Sequence, residues 1–189
     1  MNTPKTRCHW VSDNPLYIDY HDNEWGRPVH DDTTLFEFLT LEGAQAGLSW
    51  ITILKRRDAY REAFCDFDVE KIAGFNKRRI ESLLNNPAII RNRLKIESTV
   101  SNAQAFIKIQ DAQDSFNDYL WAFVDNAPII NHWEEHTMVP ATTDLSNALA
   151  KDLKRRGFRF VGSTICYAYM QAIGMVNDHS DNCFLKVAP

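Results

Sequence analysis

Glycine and proline are scarce, seven of each in 189 residues. With no low-complexity tract and no internal repeat, extended disorder and a solenoid are excluded. Cysteine is scarce too: Cys8, Cys65, Cys166 and Cys183 are too few and too scattered for a secreted disulfide framework, leaving metal ligation or plain burial. No apolar run reaches membrane-spanning length, and no charged leader precedes an apolar stretch, so a soluble, cytoplasmic protein is expected. The net charge of −4 lacks the excess of one sign that would coat the chain in nucleic acid. A single basic face remains compatible with it.

What the chain does have is apolar content. At 44% hydrophobic residues it can build one substantial core, expected as a single domain over residues 1–189 or as two closely packed helical lobes sharing it. The apolar residues recur at helical spacing almost throughout. Phe158-Arg159-Phe160-Val161 is the one short strand candidate, so the expected class is all-α.

The decisive stretch is Leu41-Glu42-Gly43-Ala44-Gln45-Ala46-Gly47-Leu48-Ser49-Trp50. Thr34 and Glu37 read as a capping box that starts its helix, and Leu35, Phe38 and Leu39 form an apolar stripe whose next position is Glu42. A carboxylate stands where a leucine belongs. Buried without a partner it would cost several kcal/mol or take up a proton, so it is expected to face a cavity whose occupant donates hydrogen bonds or carries positive charge. Gly43 and Gly47 permit close backbone approach, and Ser49 is an expected N-cap for a helix running to about Phe64, with Lys55-Arg56-Arg57 near its middle.

Other helices announce themselves by their ends. Asp68 and Asn76 read as caps before Val69 and Lys77, Ser115 as the cap of Phe116 to Val124, and Gly157 and Gly174 as helix stops. Between them, Asn85 to Lys95 is a turn that passes from apolar to basic residues and leads into a long helix. That pattern resembles a helix-hairpin-helix, in which backbone N–H groups grip a DNA phosphate, although its usual glycines are missing. Arg91, Arg93 and Lys95 are the candidate phosphate contacts, with Lys154, Arg155, Arg156 and Arg159 beside them.

Two clusters carry possible metal chemistry. Cys8 with His21, and His179 with Cys183, supply the two thiolates and two imidazoles of a closed tetrahedral zinc site; His9 or His30 could replace His21, and Cys65 and Cys166 are equally free on spacing alone. His132-Trp133-Glu134-Glu135-His136 matches an inverted zinc-protease pattern, but it sits in a loop between Pro128 and Pro140 where no stable helix is expected. A polar surface loop accounts for it. The N-terminal segment, meanwhile, concentrates Trp10, Tyr17, Tyr20 and Trp25 among few aliphatics, the composition of a pocket wall.

Taken together, Cys8-His9-Trp10, Tyr17 to Gly26, Leu41 to Trp50, Arg156 to Gly162 and Asn177-Asp178-His179 resemble the bacterial 3-methyladenine DNA glycosylase I family. The resemblance implies an all-α member of the helix-hairpin-helix glycosylase superfamily, active in base-excision repair as a monofunctional N-glycosylase on double-stranded DNA. It implies a structural zinc ion on Cys8, His21, His179 and Cys183, joining the chain's two ends. Trp10, Tyr17, Tyr20 and Trp50 fall on the family's base pocket, with Glu42 as the decisive carboxylate and free 3-methyladenine as product. It also implies that no aspartate serves as general base, so Asp111, Asp114 and Asp118 are expected as surface residues. A monomer is expected. The Asn131 to Val139 loop departs from the family's pattern and carries none of the matched chemistry. The rival class is a non-enzymatic, zinc-stapled DNA-binding module, against which a buried carboxylate in an aromatic box argues.

Overall fold

The computed structural model describes residues 5–186, with ten α-helices and one two-stranded ladder among them. The helices are α1 (Pro15–Asn23), α2 (Asp32–Gln45), α3 (Trp50–Leu54), α4 (Arg57–Ala63), α5 (Val69–Ala73), α6 (Lys77–Leu84), α7 (Arg93–Ala112), α8 (Phe116–Trp121), α9 (Asp144–Arg155) and α10 (Ser163–Ala172). The expected helical class holds. The strand is elsewhere: β1 (Ile129–Ile130) pairs in parallel with β2 (Val176–Asn177), whereas Phe158 to Val161 is irregular. Two residues per strand leave no alternation to detect in the sequence. No helix among the described residues is long and apolar enough to cross a membrane.

Helix α2 is the centre of the fold, touching α3, α7, α8 and α10. Every residue from Leu35 to Ala44 is buried, so the expected one-sided stripe is in fact a helix enclosed all round. Its start also differs from expectation. Asp31, not Thr34, is the N-cap: its carboxylate accepts from the Thr34 N–H at 2.8 Å and from the Thr34 hydroxyl at 2.7 Å. Glu37 is therefore free of capping duty and lies buried, with the Arg57 Nε donating to it at 2.5 Å and Arg61 at 2.9 Å. Arg57 also reaches Glu24 at 2.6 Å and lies over the Phe38 ring. A buried acid flanked by two guanidiniums satisfies its charge locally.

The single helix expected from Ser49 to Phe64 is two, because the chain breaks at Lys55 and Arg56; the turn aims Arg57 inward at Glu37. Beyond it, Cys65, Asp66 and Phe67 all take positive φ, a left-handed turn that buries Phe67. The expected caps Asp68, Asn76 and Ser115 each accept from the backbone two or three residues inside their helices. Gly157 and Gly174 follow the helix ends at φ +97° and +73°. Gly174 is required for a second reason, since a Cβ there would lie 2.3 Å from the Arg27 carbonyl carbon.

Helices α6 and α7 pack together and are joined by the 85–92 turn, with Ile89 buried and Asn92 capping α7. The Asn131 to Val139 loop contains a short 3-10 turn, His136–Met138, and no α-helix, so the inverted zinc-protease reading has no scaffold.

Candidate active site

Helices α1, α2, α3 and α10, with the segments around residues 8–10, Trp25, residues 133–139 and residues 178–180, line a cavity of about 440 Å3. Trp10, Tyr17, Tyr20, Glu42 and Trp50 all line it, so the five pocket residues expected from sequence come together in one place. The aromatics pack edge to face or tilted: Trp10 lies 5.8 Å from Tyr17 and 5.1 Å from Trp25, both T-shaped, and Tyr20 lies 5.4 Å from Trp50, tilted, centroid to centroid. Tyr17 also orders the wall, because its hydroxyl accepts from the Ile51 N–H at 3.2 Å and so takes up an orphan donor at the start of α3. Ser49, the expected side-chain cap there, bonds the Thr52 hydroxyl instead. The indole N–H groups of Trp10 and Trp50 are buried with no hydrogen-bond partner among the described residues.

Glu42 projects from the last turn of α2 and is 4% exposed. No described side chain or backbone group hydrogen-bonds its carboxyl, and burial alone pushes it up to about 8. Tyr20, wholly enclosed beside it, is pushed well above the ordinary phenol range by burial first and by the Glu42 and Glu24 carboxylates second. The phenol therefore stays a neutral donor. Gly43 permits this packing, since a Cβ there would come 3.3 Å from that of Phe160.

Sequence reasoning left several lining residues unassigned. Gln45 sits one helical turn beyond Glu42 on the same face, and that i, i+3 spacing is the signal that could have found it. Trp25 lines the cavity as the aromatic N-terminal segment suggests; Asp178 lies within a recognised block without a role, Trp133 lies in a loop read as polar surface, and Gln171 carries no pattern. Asp178 is a second buried carboxylate, with every oxygen position used: Tyr167 and Gln171 donate to Oδ2 at 2.6 and 2.7 Å, and Asn131 and Trp133 to Oδ1 at 2.7 and 2.9 Å.

Behind the Trp10 wall, Cys8, His21, His179 and Cys183 converge with all ligand atoms within 4.8 Å of one another and all four residues buried. The donor set fits a tetrahedral ion. Cys8 Sγ to His179 Nδ1 is 3.3 Å, Cys183 Sγ to His21 Nε2 is 3.5 Å and Cys183 Sγ to His179 Nδ1 is 3.6 Å, about the edge lengths that ordinary metal–sulfur and metal–nitrogen bonds give. The far ring nitrogens are held as metal ligands require: His21 Nδ1 lies 2.8 Å from Asp22, itself paired with Arg7, and His179 Nε2 lies 3.2 Å from the Trp25 carbonyl oxygen. Gly26 belongs to this packing, because a Cβ there would meet His179 at 2.9 Å. His9 and His30 lie outside the cluster, and Cys166 is plainly buried, its thiol pushed up to about 12 by desolvation.

The basic residues divide. Arg91 is exposed, and Arg93, also exposed, pairs with Glu81 at 2.7 Å. Lys95 departs from the phosphate contact expected of it: its ammonium donates to the carbonyls of Ala44 and Ala46 at 2.8 and 2.7 Å, closing the end of α2. Two of its three N–H bonds are thereby committed. Arg155 and Arg156 likewise pair with Asp152, while Asp111, Asp114 and Asp118 are surface residues as expected.

Residues 10–186 match the methyladenine glycosylase family model. The chain belongs to the methyladenine glycosylase family. Among its relatives is a DNA-3-methyladenine glycosylase of Haemophilus influenzae, 48% identical over 97% of this chain and 99% of the relative. A crystal structure of a 3-methyladenine DNA glycosylase I is similar at TM-score 0.94 and 52% identity, covering 96% of this chain and 100% of that one. A tyrosine-to-phenylalanine variant of such an enzyme, in complex with 3-methyladenine, superposes at TM-score 0.93 and 37% identity over 96% of this chain and 98% of that one. In this glycosylase-family chain the aromatic cavity and its isolated carboxyl are thus the candidate active site.

The isolation of Glu42 has a measurable consequence. In the unfolded chain its carboxyl ionises near 4.5, in the folded chain only near 8, so across that window the native state holds a proton the unfolded state has lost. Native stability must fall as pH rises through it. Glu42→Gln removes the titration while keeping the shape; in chemical denaturation it should match wild type at about pH 4, below the unfolded-chain value, and exceed it by on the order of a few kcal/mol by pH 8. A difference that stays flat with pH would mean that the carboxyl is not isolated.

Proposed function

We propose that the protein excises 3-methyladenine from alkylated DNA, hydrolysing the N-glycosidic bond after the base is flipped into the aromatic cavity. One observation carries the reading: Glu42 is buried in an aromatic box with no hydrogen-bond partner among the described residues, so the cavity as built favours a cation that also donates hydrogen bonds. Adenine methylated at N3 is such a group while attached to deoxyribose, since it carries positive charge and keeps its exocyclic amine. Its arrival offsets the desolvation that holds the proton on Glu42, and the carboxylate forms against the cation. Aromatic faces from Trp10 and Trp50 add roughly 0.5–2 kcal/mol for each good cation contact, and the neutral Tyr20 hydroxyl supplies a further polar contact. Normal adenine, uncharged, leaves the carboxyl uncompensated.

Because the methylated base is already an activated leaving group, the work left to the protein is selection and stabilisation of an oxocarbenium-like transition state. No general base is assigned. Asp178, the second carboxylate, is saturated by four donors and serves as a structural hub. With Glu42→Gln, excision should fall by one to two orders of magnitude, about what one charge-assisted hydrogen bond is worth. The assay is release of free base from methylated DNA under single-turnover conditions, and a variant equal to wild type would remove Glu42 from the mechanism.

For the cluster behind the wall we infer a structural zinc ion on Cys8, His21, His179 and Cys183. Four protein ligands leave no position for water, so the ion supplies closure of the chain's two ends and no chemistry. Protein purified without chelator should carry about one zinc per chain, and extraction should lower the melting temperature markedly. Substoichiometric metal in fully folded protein would count against the assignment.

The α6–α7 hairpin is read as a helix-hairpin-helix. Exposed Arg91 and Arg93 and the N-terminus of α7 would form the DNA face, and Lys95 brings that terminus against the end of the Glu42 helix. Binding to duplex DNA should weaken steeply with salt, and Arg91→Ala should lower the slope of log affinity against log salt by about one. An unchanged slope would place the phosphate contacts elsewhere.

A further inference from the structure

The Asn131 to Val139 loop, whose protease-like pattern the fold leaves without a zinc site, is part of the cavity: Trp133 and Val139 both line it. The loop is held there by a set of latches to the segment around β2. Asn131 and Trp133 donate side-chain N–H groups to Asp178, Asp181 donates its backbone N–H to the Trp133 carbonyl at 3.1 Å, and Lys186 reaches the Asn131 carbonyl. His132 faces Asp181 at 3.3 Å. A segment described by sequence as a polar surface loop thus puts an indole into the pocket wall, and its edge is fixed by a hydrogen bond to a residue that is itself immobilised by Tyr167 and Gln171.

We propose that Trp133 is a specificity-determining residue of this cavity, limiting the size of the alkylated purine it admits. The inference rests on the base-excision reading above. Tyr17 and Tyr20 of α1, Glu42 of α2 and Trp50 of α3 supply charged and aromatic lining that any cationic purine would meet, with Glu42 and Tyr20 buried. The 131–139 loop adds Trp133 and Val139 to that lining, and Trp133 is the bulkier. An aromatic wall pinned at its edge cannot swing aside to accept an added methylene without breaking the bond to Asp178. Apolar pockets discriminate one methylene by roughly 10- to 200-fold when the wall is rigid. Deleting the indole removes that limit and leaves Glu42, Tyr20, Trp10 and Trp50 in place.

The test compares binding of free 3-methyladenine, 3-ethyladenine and 7-methylguanine by isothermal titration calorimetry, for wild type, Trp133→Ala and Trp133→Phe. Wild type should prefer 3-methyladenine over the larger bases by at least 10-fold. Trp133→Ala should bring that ratio within a few-fold of unity. Trp133→Phe, which keeps an aromatic wall but loses the latch to Asp178, should fall between them, so the proposal stays testable if the alanine variant does not fold. Ratios unchanged within twofold in whichever variants fold would overturn it. Failure of wild type to bind any of the three bases would instead overturn the excision reading, and the two outcomes are distinct.

Discussion

A carboxyl group with no hydrogen-bond partner among the described residues, placed on a helix buried from Leu35 to Ala44, is the constraint around which this structure is arranged. Glu42 faces only the cavity, because α2 is packed on its other sides, and no ion pair joins it to a described cation, since Arg57 and Arg61 are engaged by Glu37 and Glu24. The fold therefore keeps its charge pairs and its unpaired acid apart. Glu37, about one and a half turns earlier on the same helix, is satisfied by Arg57 of α4, and of the two glutamates only Glu42 faces the cavity. Two buried glutamates on one helix have opposite roles, set by which has a partner.

The same division holds between the two pocket carboxylates. Asp178 collects four donors and converts its charge into rigidity, joining α10, β2 and the 131–139 loop at a point next to His179. Glu42 collects none among the described residues. The four Cys and His side chains bring a segment near residue 8 against one near residue 183 at the back of the aromatic wall. An ion held there would restrain chain segments that otherwise fray.

Much of this was legible in the sequence, for identifiable reasons. Caps and stops depend on local chemistry, so Asp68, Asn76, Ser115, Gly157 and Gly174 were readable from a few residues. The pocket aromatics and the ligand cluster fell in compact motifs. What was hidden depends on tertiary context. Asp31 displaces Thr34 as cap because it stands just before the helix with its carboxylate in reach of the Thr34 N–H and hydroxyl, and either start is compatible with the pattern. The all-round burial of α2 cannot follow from a one-sided stripe, and the break at Lys55 follows from Arg57 turning inward to Glu37, a partner twenty residues away. Lys95 read as a phosphate contact because basic residues after a hairpin suggest one; its actual acceptors, the carbonyls of Ala44 and Ala46, lie on an element far away in sequence. Trp133 had no periodic neighbour to reveal that it faces inward.

Those displaced roles explain how the cavity keeps its shape. Its charged wall is the end of a helix, the place where unsatisfied carbonyls and fraying are most expected. Here Lys95 fills two of those carbonyls with a cation, favourable also to the negative end of the α2 dipole, and burial holds that ammonium below its ordinary range without removing its hydrogen bonds. Tyr17 does the converse at the start of α3, accepting an orphan N–H just past the Gly47 turn, whose φ of +78° reverses the chain between the two helices. Glu42 and Trp50 are thus set by capped helix ends on either side of one tight turn. A carboxylate and an indole fixed in this way need little reorganisation when a cation enters between them, which is the condition under which an isolated charge contributes most to selection.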